Sequence, residues 1–257
     1  MALFNFTLDS FSITQTRSKH EDTNFVAFTL KLGSLDPKPL FKAMGNVNNG
    51  SHQVQLSFSG IEVGQDDSFL LNYLILNAGS ASSAEVQTAL QNLGINWANG
   101  QGPTPPQTAS ALGADHDWFN TELQGILRSK CDGVVAAEQS RFVYGDLLKL
   151  IPNTTFTHQT VHAGTHSPSG CGNNSQYTVN WNLAKALQVP DVVGMATDTP
   201  GSHPAHKYAV ATLQKAGFKA AWEQGTAGPL VVRQNPPGDF FVVPGTPVTL
   251  WRGTVVP

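Results

Sequence analysis

Three histidines spaced four residues apart, His158, His162 and His166, precede Cys171. Imidazole is a common zinc ligand, and two histidines one helical turn apart can reach the same ion. The zinc-protease form of this motif needs a glutamate directly after the first histidine to activate water, but Gln159 stands there. The intervening threonines and valine favour a strand over a helix. The spacing therefore does not indicate a helical zinc site.

On a strand the same spacing has a different geometry. Four residues advance about 13 Å along a strand, whereas zinc binds each nitrogen at about 2 Å, so His158 and His162 could share an ion only with neighbouring strands supplying ligands. Gly164 and Pro168 place His166 in a loop. Two interpretations stay open. The histidines are packed or face solvent, or His158 and His162 belong to a cross-strand metal site.

The two cysteines, Cys131 and Cys171, are too few to build a disulfide-based miniprotein. The sequences around them, KCDG and GCGN, form no C-x-x-C metal or redox pair. No histidine can be identified from the sequence as the partner of a catalytic cysteine. Both lie in glycine-containing, turn-like segments. We expect a structural disulfide between them, with two free thiols as the alternative. The redox conditions of the compartment determine which form persists.

Other polar clusters have ordinary structural explanations. Asp115, His116 and Asp117 precede a helical pattern, where aspartate usually caps the helix, although the trio could also ligate a cation. Residues 20–23, HEDT, suit a solvated hairpin turn. The GCGNNS stretch leads into a predicted strand, whereas a dinucleotide-binding glycine loop leads into a helix. We therefore expect no cofactor.

Catalysis has no clear signature in the chain. The S-x-x-K, G-x-S-x-G and G-x-x-x-x-G-K motifs are absent. Two carboxylates that hydrolyse a glycan would come from Asp132, Glu138 and Asp146, but their separation is a property of the fold. Tyr177 and Trp181 are expected to pack in a core, or to stack a sugar if they face solvent. We predict no catalytic residue.

Composition narrows the class of protein further. The 257 residues are 40% hydrophobic and only 13% charged, a balance typical of β-rich proteins outside the cytosol. The net charge is -3, and the 15 Lys and Arg residues are scattered, so no basic stripe predicts nucleic-acid binding. We expect an extracellular, cell-surface or virion location.

The N-terminal stretch MALFNFTLDSFSITQTR has neither a positively charged start nor an unbroken apolar run. Nowhere do 18 apolar residues follow one another, so no membrane span is expected. Export would then need a non-classical route, a precursor, or release within a larger particle.

Alternating apolar residues predict antiparallel strands in the first third of the chain. Phe4, Phe6 and Leu8 lie on one side of a first strand, and residues 26–32 alternate on a second. HQVQLSFSGIEV and FLLNYLILN suggest another pair, and we expect both pairs to be hairpins. Further strands are predicted at FVYGDLLKLI, at the histidine-containing stretch, and at SQYTVNWNLA.

Two helices are expected between these strands. In SSAEVQTALQNLG the apolar residues recur at helical spacing, Ser82 and Glu85 match a capping box, and Gly94 is a predicted stop. DHDWFNTELQGILRSK predicts a second helix. Its expected buried residues are Trp118, Phe119, Leu123 and Ile126. Residues 1–186 are thus predicted to form an α+β domain of mostly antiparallel sheet with two short helices.

The tail, residues 188–257, has a more specific pattern. It contains, in order, the VPDVVGM entry, a helix ending in AGF, a QNPPG turn and a VPGTPVTL closing strand. Residues 188–254 resemble the PASTA domain, the small βαββ module associated with bacterial penicillin-binding proteins and serine/threonine kinases. The segment ATDTPGSHPAHKY is longer than in the usual PASTA pattern.

The resemblance implies attachment to the bacterial cell wall, through peptidoglycan fragments or β-lactams, or a role as a spacer. It does not imply catalysis. We therefore predict a non-catalytic binding, structural or assembly protein of bacterial or phage type, with peptidoglycan, another glycan or further copies of the chain as partners. The alternatives are a peptidoglycan hydrolase with a PASTA targeting module and a carbohydrate-binding protein.

Overall fold

The computed structural model describes residues 2–19, 21–103, 118–151, 155–164, 169–172, 174–197, 208–242 and 245–254. The protein is β-rich and its large sheets are antiparallel. The first strands are β1 (Ala2–Gln15), β2 (Asp22–Leu32), β3 (Lys38–Val47), β4 (Gly50–Val63) and β5 (Ser68–Asn77). Helix α1 (Ser83–Ala98) follows, then β6 (Gly133–Val143), helix α2 (Tyr144–Leu150), β7 (Thr155–Ala163) and β8 (Gln176–Lys185).

These eight strands form two four-stranded sheets that pack as a sandwich. Sheet I has the order β4-β1-β8-β7, and sheet II has the order β3-β2-β5-β6. Alternation along β1 turns Phe4, Phe6 and Leu8 inward, as predicted, and β8 turns Trp181 and Leu183 inward in the same way. Residues from both sheets share one hydrophobic cluster.

The predicted hairpins are wrong in their partners, although the antiparallel direction is confirmed. Strand β1 pairs with β4 and β8, while β2 pairs with β3 and β5, so the chain passes from one sheet to the other between β1 and β2 and again between β4 and β5. Alternation determines which face of a strand is buried, but it does not identify the neighbouring strand. Strands β3 and β6 were not predicted.

Helix α1 covers the outer face of sheet II. The predicted capping box of Ser82 and Glu85 is present. Gly94, however, does not end the helix, which continues to Ala98. A Cβ at Gly94 would lie 2.5 Å from Thr29 Oγ1, so the glycine allows the helix to pack closely on the sheet. Residues 118–122 are also helical, and Phe119 is buried in the same cluster as α1.

The stretch FVYGDLLKLI is not the predicted strand. Strand β6 ends at Val143, and the next seven residues form α2. Leu147 and Ile151, four residues apart, are both buried, which fits a helical period. The histidine-containing stretch and SQYTVNWNLA are strands, as predicted.

The tail forms a smaller unit with its own hydrophobic cluster. Its elements are β9 (Leu187–Gln188), α3 (Ala209–Lys215), β10 (Lys219–Trp222), β11 (Leu230–Asn235), β12 (Phe241–Val242) and β13 (Pro247–Gly253). Strand β13 lies between β10, to which it is parallel, and β11, to which it is antiparallel. Gly217 follows α3 with a φ of 88°, and Val248 and Leu250 of β13 are fully buried.

A buried carboxylate joins the two sheets at one end of the sandwich. Asp22 accepts hydrogen bonds from the backbone amides of Arg17 (2.8 Å) and Ser18 (2.7 Å) and from the Tyr177 hydroxyl of the opposite sheet (2.7 Å). Tyr177 Oη also accepts from Asn24 Nδ2 at 2.8 Å. These contacts form the Asp22 cluster. Burial raises the pKa of Tyr177 and keeps its hydroxyl a donor.

The predicted disulfide between Cys131 and Cys171 is present beside this cluster. Cys131 precedes β6 in sheet II and Cys171 precedes β8 in sheet I. The Cys131 carbonyl accepts a hydrogen bond from Arg17 Nε at 2.8 Å. The cysteines are 40 residues apart in sequence. A disulfide that closes a loop of this length stabilises the folded state by about 4 kcal/mol, because it restricts the unfolded chain.

We expect Tyr177→Phe to lower the free energy of unfolding by about 1–3 kcal/mol, because Asp22 loses one of its donors without access to water. Urea unfolding at neutral pH measures this loss. Tyr144→Phe is the matched control, because Tyr144 is half-buried and packs edge-on against Phe4 at a ring distance of 6.4 Å. An equal loss in both variants would show that the hydroxyl of Tyr177 has no special role.

Candidate functional site

Strand β7 directs alternate side chains into the sandwich. His158 and Thr160 are half-buried and His162 is fully buried, whereas Gln159 and Val161 are exposed. The pattern follows from the period of two residues in a strand, and it places the candidate histidines against the neighbouring sheet. The third histidine of the sequence pattern, His166, lies outside the described residues.

Glu138 on β6 is the centre of the polar contacts that His158 makes. Its Oε2 accepts hydrogen bonds from Tyr73 Oη and Thr160 Oγ1, both at 2.7 Å. Its Oε1 accepts from Ser140 Oγ at 3.1 Å and lies 3.2 Å from His158 Nε2. We call these residues, together with His162, the Glu138 cluster.

The pKa values of this cluster define its chemistry. Burial would raise the pKa of Glu138, but hydrogen bonds from His158, Thr160 and Tyr73 together outweigh burial and lower the pKa to about 2. The hydrogen bond to Glu138 raises the pKa of His158 above its usual value. A carboxylate with this pKa does not serve as a general acid near neutral pH, because it carries no proton to donate.

Tyr73 connects the two histidines. Its hydroxyl lies 2.6 Å from His162 Nε2 and donates to Glu138 from the other side. Burial, followed by the charge of Glu138, raises the pKa of Tyr73 well above its usual value. The described residues contain no group of three or more His, Cys, Asp or Glu side chains that could hold a metal ion. The cross-strand metal site at His158 and His162 stays a prediction, and the structure gives each ring a protein partner.

The space beside Glu138 is part of the packed core. It is lined by Phe28, Leu71, Tyr73, Ser140 and Trp181, and it has no room for a water molecule. This cavity therefore does not hold a substrate, although 18% of the Glu138 side chain and 37% of the His158 side chain are exposed. The cluster joins β7 of sheet I to β5 and β6 of sheet II.

The other candidate residues are apart from this cluster. Asp132 accepts hydrogen bonds from the amides of Gly79, Arg128 and Ser129, which makes it a turn-forming residue. Asp146 is exposed and lies 3.5 Å from Lys149. Tyr177 and Trp181 are buried in the core, as predicted. Residues 115–117 and His20 lie outside the described part of the chain.

The outer face of sheet I is a surface that the sequence interpretation missed. One row across its four strands is Gln53, Ser10, Asn180 and Gln159, and the next is Ser57, Thr7, Asn182 and Thr157. Neighbours within the rows bond to each other. Gln159 Nε2 donates to Asn180 Oδ1 at 2.9 Å, and Thr7 Oγ1 lies 2.9 Å from Ser57 Oγ.

No side chain in these two rows is charged, and four strands give a face about 14 Å wide between the outer strands. Asp9, at the irregularity of β1, accepts a hydrogen bond from Gln55 Nε2 at 2.6 Å. The outward alternation of Ser, Thr, Asn and Gln in β1, β4, β7 and β8 is the signal that could have predicted this face. It was missed because the inward apolar positions decided the strand assignments.

The tail carries two stacked pairs of arginine and tryptophan. The Arg233 guanidinium lies 4.6 Å from the ring centre of Trp251, and the Arg252 guanidinium lies 4.2 Å from that of Trp222. Such contacts are favourable because the face of the indole ring is electron-rich. Arg233 is exposed and Trp251 is half-buried. The Arg233 guanidinium thus covers one face of the Trp251 ring on the neighbouring strand.

The pH dependence of stability tests the Glu138 cluster. The pKa of Glu138 falls from 4.5 to about 2 on folding, so its stabilisation, up to about 3 kcal/mol, is present above pH 4.5 and is lost as the pH falls towards 2. His158 has a raised pKa, so its stabilisation is complete below pH 6.5 and is lost as the pH rises beyond that.

We therefore expect Glu138→Gln to lower the free energy of unfolding most between about pH 4.5 and pH 6.5 and to flatten its decline on both sides. Urea unfolding at a series of pH values measures this. Glu62→Gln, at an exposed position on β4, is the control and should leave the profile unchanged. A parallel profile for Glu138→Gln and the native chain would contradict the assigned ionisation.

Comparisons with known proteins identify no relative, so the functional proposal rests on the geometry. No protein-family model matches the chain, and no curated protein has significant sequence similarity to it. Among the described residues, no helix is long and apolar enough to cross a membrane.

Proposed function

We propose that this chain is a non-catalytic binding and assembly protein. Its sandwich presents the outer face of sheet I as a binding surface, and its PASTA-like tail tethers the sandwich to a cell wall or acts as a spacer. The observation that carries the proposal is the pair of uncharged hydroxyl and amide rows across the four strands of sheet I.

These rows suit a neutral, polar partner. Hydroxyl and amide groups both donate and accept hydrogen bonds, so they match sugar hydroxyls, acetamido groups or the similar surface of a protein. Covering the uncharged side chains of the rows costs less than stripping water from ions, and the Asp9 carboxylate between the rows already accepts hydrogen bonds from Ser10 and Gln55. A glycan such as peptidoglycan and an assembling protein subunit both have this chemistry.

The tail supports the tethering part of the proposal. The two-residue strand β9 precedes helix α3, at the position of the first strand in the βαββ order that the PASTA resemblance implies, and strands β10, β11 and β13 follow the helix. The Trp251 ring can stack on a sugar, and the Arg233 guanidinium can bind a carboxylate of a peptide stem. A wall polymer that contains both groups would contact both side chains at once.

The hydrolase alternative is less well supported by the geometry. Among the candidate carboxylates, Glu138 accepts hydrogen bonds from several side chains, and the cavity that it lines has no room for a water molecule. A glycosidase needs two carboxyl groups across a bond that fits between them. The Glu138 cluster instead has the character of a structural contact between two sheets.

Co-sedimentation of the full chain with purified peptidoglycan tests the tether. We expect the native chain to pellet, and Trp251→Ala to weaken binding about tenfold, which corresponds to about 1.4 kcal/mol. Phe240→Ala is the matched control, because Phe240 is an exposed aromatic residue of the same unit, with 58% of its surface accessible. Loss of binding in both variants, or no pelleting of the native chain, would contradict a tether at Trp251.

The same suspension distinguishes binding from hydrolysis. We expect its turbidity to stay constant with the native chain, because binding alone does not cut the polymer. A fall in turbidity that Glu138→Gln abolishes, while the variant still pellets, would replace the proposal with the hydrolase alternative.

A further inference from the structure

The sandwich has four edge strands, β4 and β7 in sheet I and β3 and β6 in sheet II. An edge strand presents unpaired backbone groups, and proteins usually protect such edges with charges, prolines, bulges or covering segments. Three of these four edges have such features. Strand β3 contains Lys38, Pro39 and Lys42, and β6 contains Glu138 and Arg141.

Strand β4 is protected in a different way. Its register with β1 shifts at two places, and Gln55 has a φ of 56°, which interrupts the regular edge. At Gly60, the Phe241 ring of β12 lies so close that a Cβ would be 2.3 Å from Phe241 Cδ2. The tail therefore covers part of this edge.

Strand β7 has none of these features. Its nine residues, TFTHQTVHA, contain no Lys, Arg, Asp, Glu, Pro or Gly, and its register with β8 has no shift. Its titratable side chains, His158 and His162, point inward, where His158 lies against Glu138 and His162 against Tyr73. Within the described part of the chain, β8 is the strand that pairs with β7.

We propose that β7 pairs antiparallel with β7 of a second copy of this chain, so that two copies of sheet I become one continuous eight-stranded sheet. The two-fold axis passes beside Gln159, the central residue of the strand. Around this axis Thr157 lies opposite Val161 of the other copy, and Thr155 lies opposite Ala163. The contact is isologous, because each copy contributes the same strand.

The charge and the residue pattern of β7 favour a second copy of the chain as its partner. Self-pairing brings identical strands together, so any charged side chain on the outward face would meet a like charge, and β7 has none there. The outward pairs are threonine with valine, threonine with alanine, and glutamine with glutamine. These combinations pack or form hydrogen bonds, and 48% of the Val161 surface is exposed and available for burial.

This inference rests on the proposed function, since it gives the assembly part of that function a partner. The tether at Trp251 lies in the tail and is tested by pelleting. A chain that pellets but does not dimerise would contradict the present inference alone, and a chain that dimerises but does not pellet would contradict the tether alone.

Sedimentation velocity over a concentration series tests the dimer in the full chain. We expect a monomer–dimer equilibrium, and Gln159→Lys should raise its dissociation constant about fivefold or more, because two lysines then meet across the axis. Gln87→Lys is the matched control, since Gln87 is an exposed glutamine on helix α1, outside sheet I. It should leave the dissociation constant unchanged.

Cysteine cross-linking tests the register. Both natural cysteines are in the disulfide, so Gln159→Cys adds a single free thiol next to the proposed axis. Mild oxidation should convert most of this variant into a covalent dimer, whereas Gln87→Cys should stay monomeric. A native chain that is monomeric at all concentrations, equal weakening by both lysine variants, or equal cross-linking at both positions would overturn the inference.

Discussion

A carboxylate inside a β-sandwich is stable only when hydrogen-bond donors replace the water it has lost. Asp22 and Glu138 both lie between sheets I and II, and both take donors from the opposite sheet. Tyr177 of sheet I donates to Asp22 of sheet II, and Thr160 of sheet I donates to Glu138 of sheet II. Sliding one sheet over the other would separate both pairs, so these contacts limit how the sheets can pack. The hydrophobic residues around them supply most of the favourable energy but much less directional preference.

The same contacts give the polar groups inside the sandwich protein partners. Glu138 has its lone pairs occupied by donors, and Tyr73 keeps its proton because burial and the Glu138 charge raise its pKa. Catalysis usually needs a group that can exchange a proton near the working pH and a space for the substrate. The features that support the proposed function are on the outside: the uncharged rows of sheet I, the edge of β7 that no described strand pairs with, and the Arg233 and Trp251 pair of the tail.

Local sequence patterns predicted several elements correctly but not FVYGDLLKLI, whose residues 144–150 are helical, and they did not predict which strands pair. The capping box at Ser82 and the alternation of Phe4 and Phe6 depend on residues within one element, and both are confirmed. The predicted hairpins were wrong because β1 and β2 belong to different sheets. The Glu138 cluster could not be ranked from sequence, because Tyr73 and Glu138 are 65 residues apart and meet only through the sheet. Gly94 lies within helix α1, where it packs closely on Thr29 of sheet II, and this contact is also a tertiary effect.

His158 and His162, which first suggested a metal site, make structural contacts that also affect the edge strand β7. An edge strand is bonded to the sheet on one side only, so it opens more easily than a central strand. His158, Thr160 and His162 fix the inner side of β7 to sheet II through Glu138 and Tyr73. A strand held in this way loses little conformational freedom when a further strand binds, and the cost of association falls. The polar contacts on the inner side of β7 therefore favour pairing at its open edge, where they make no direct contact.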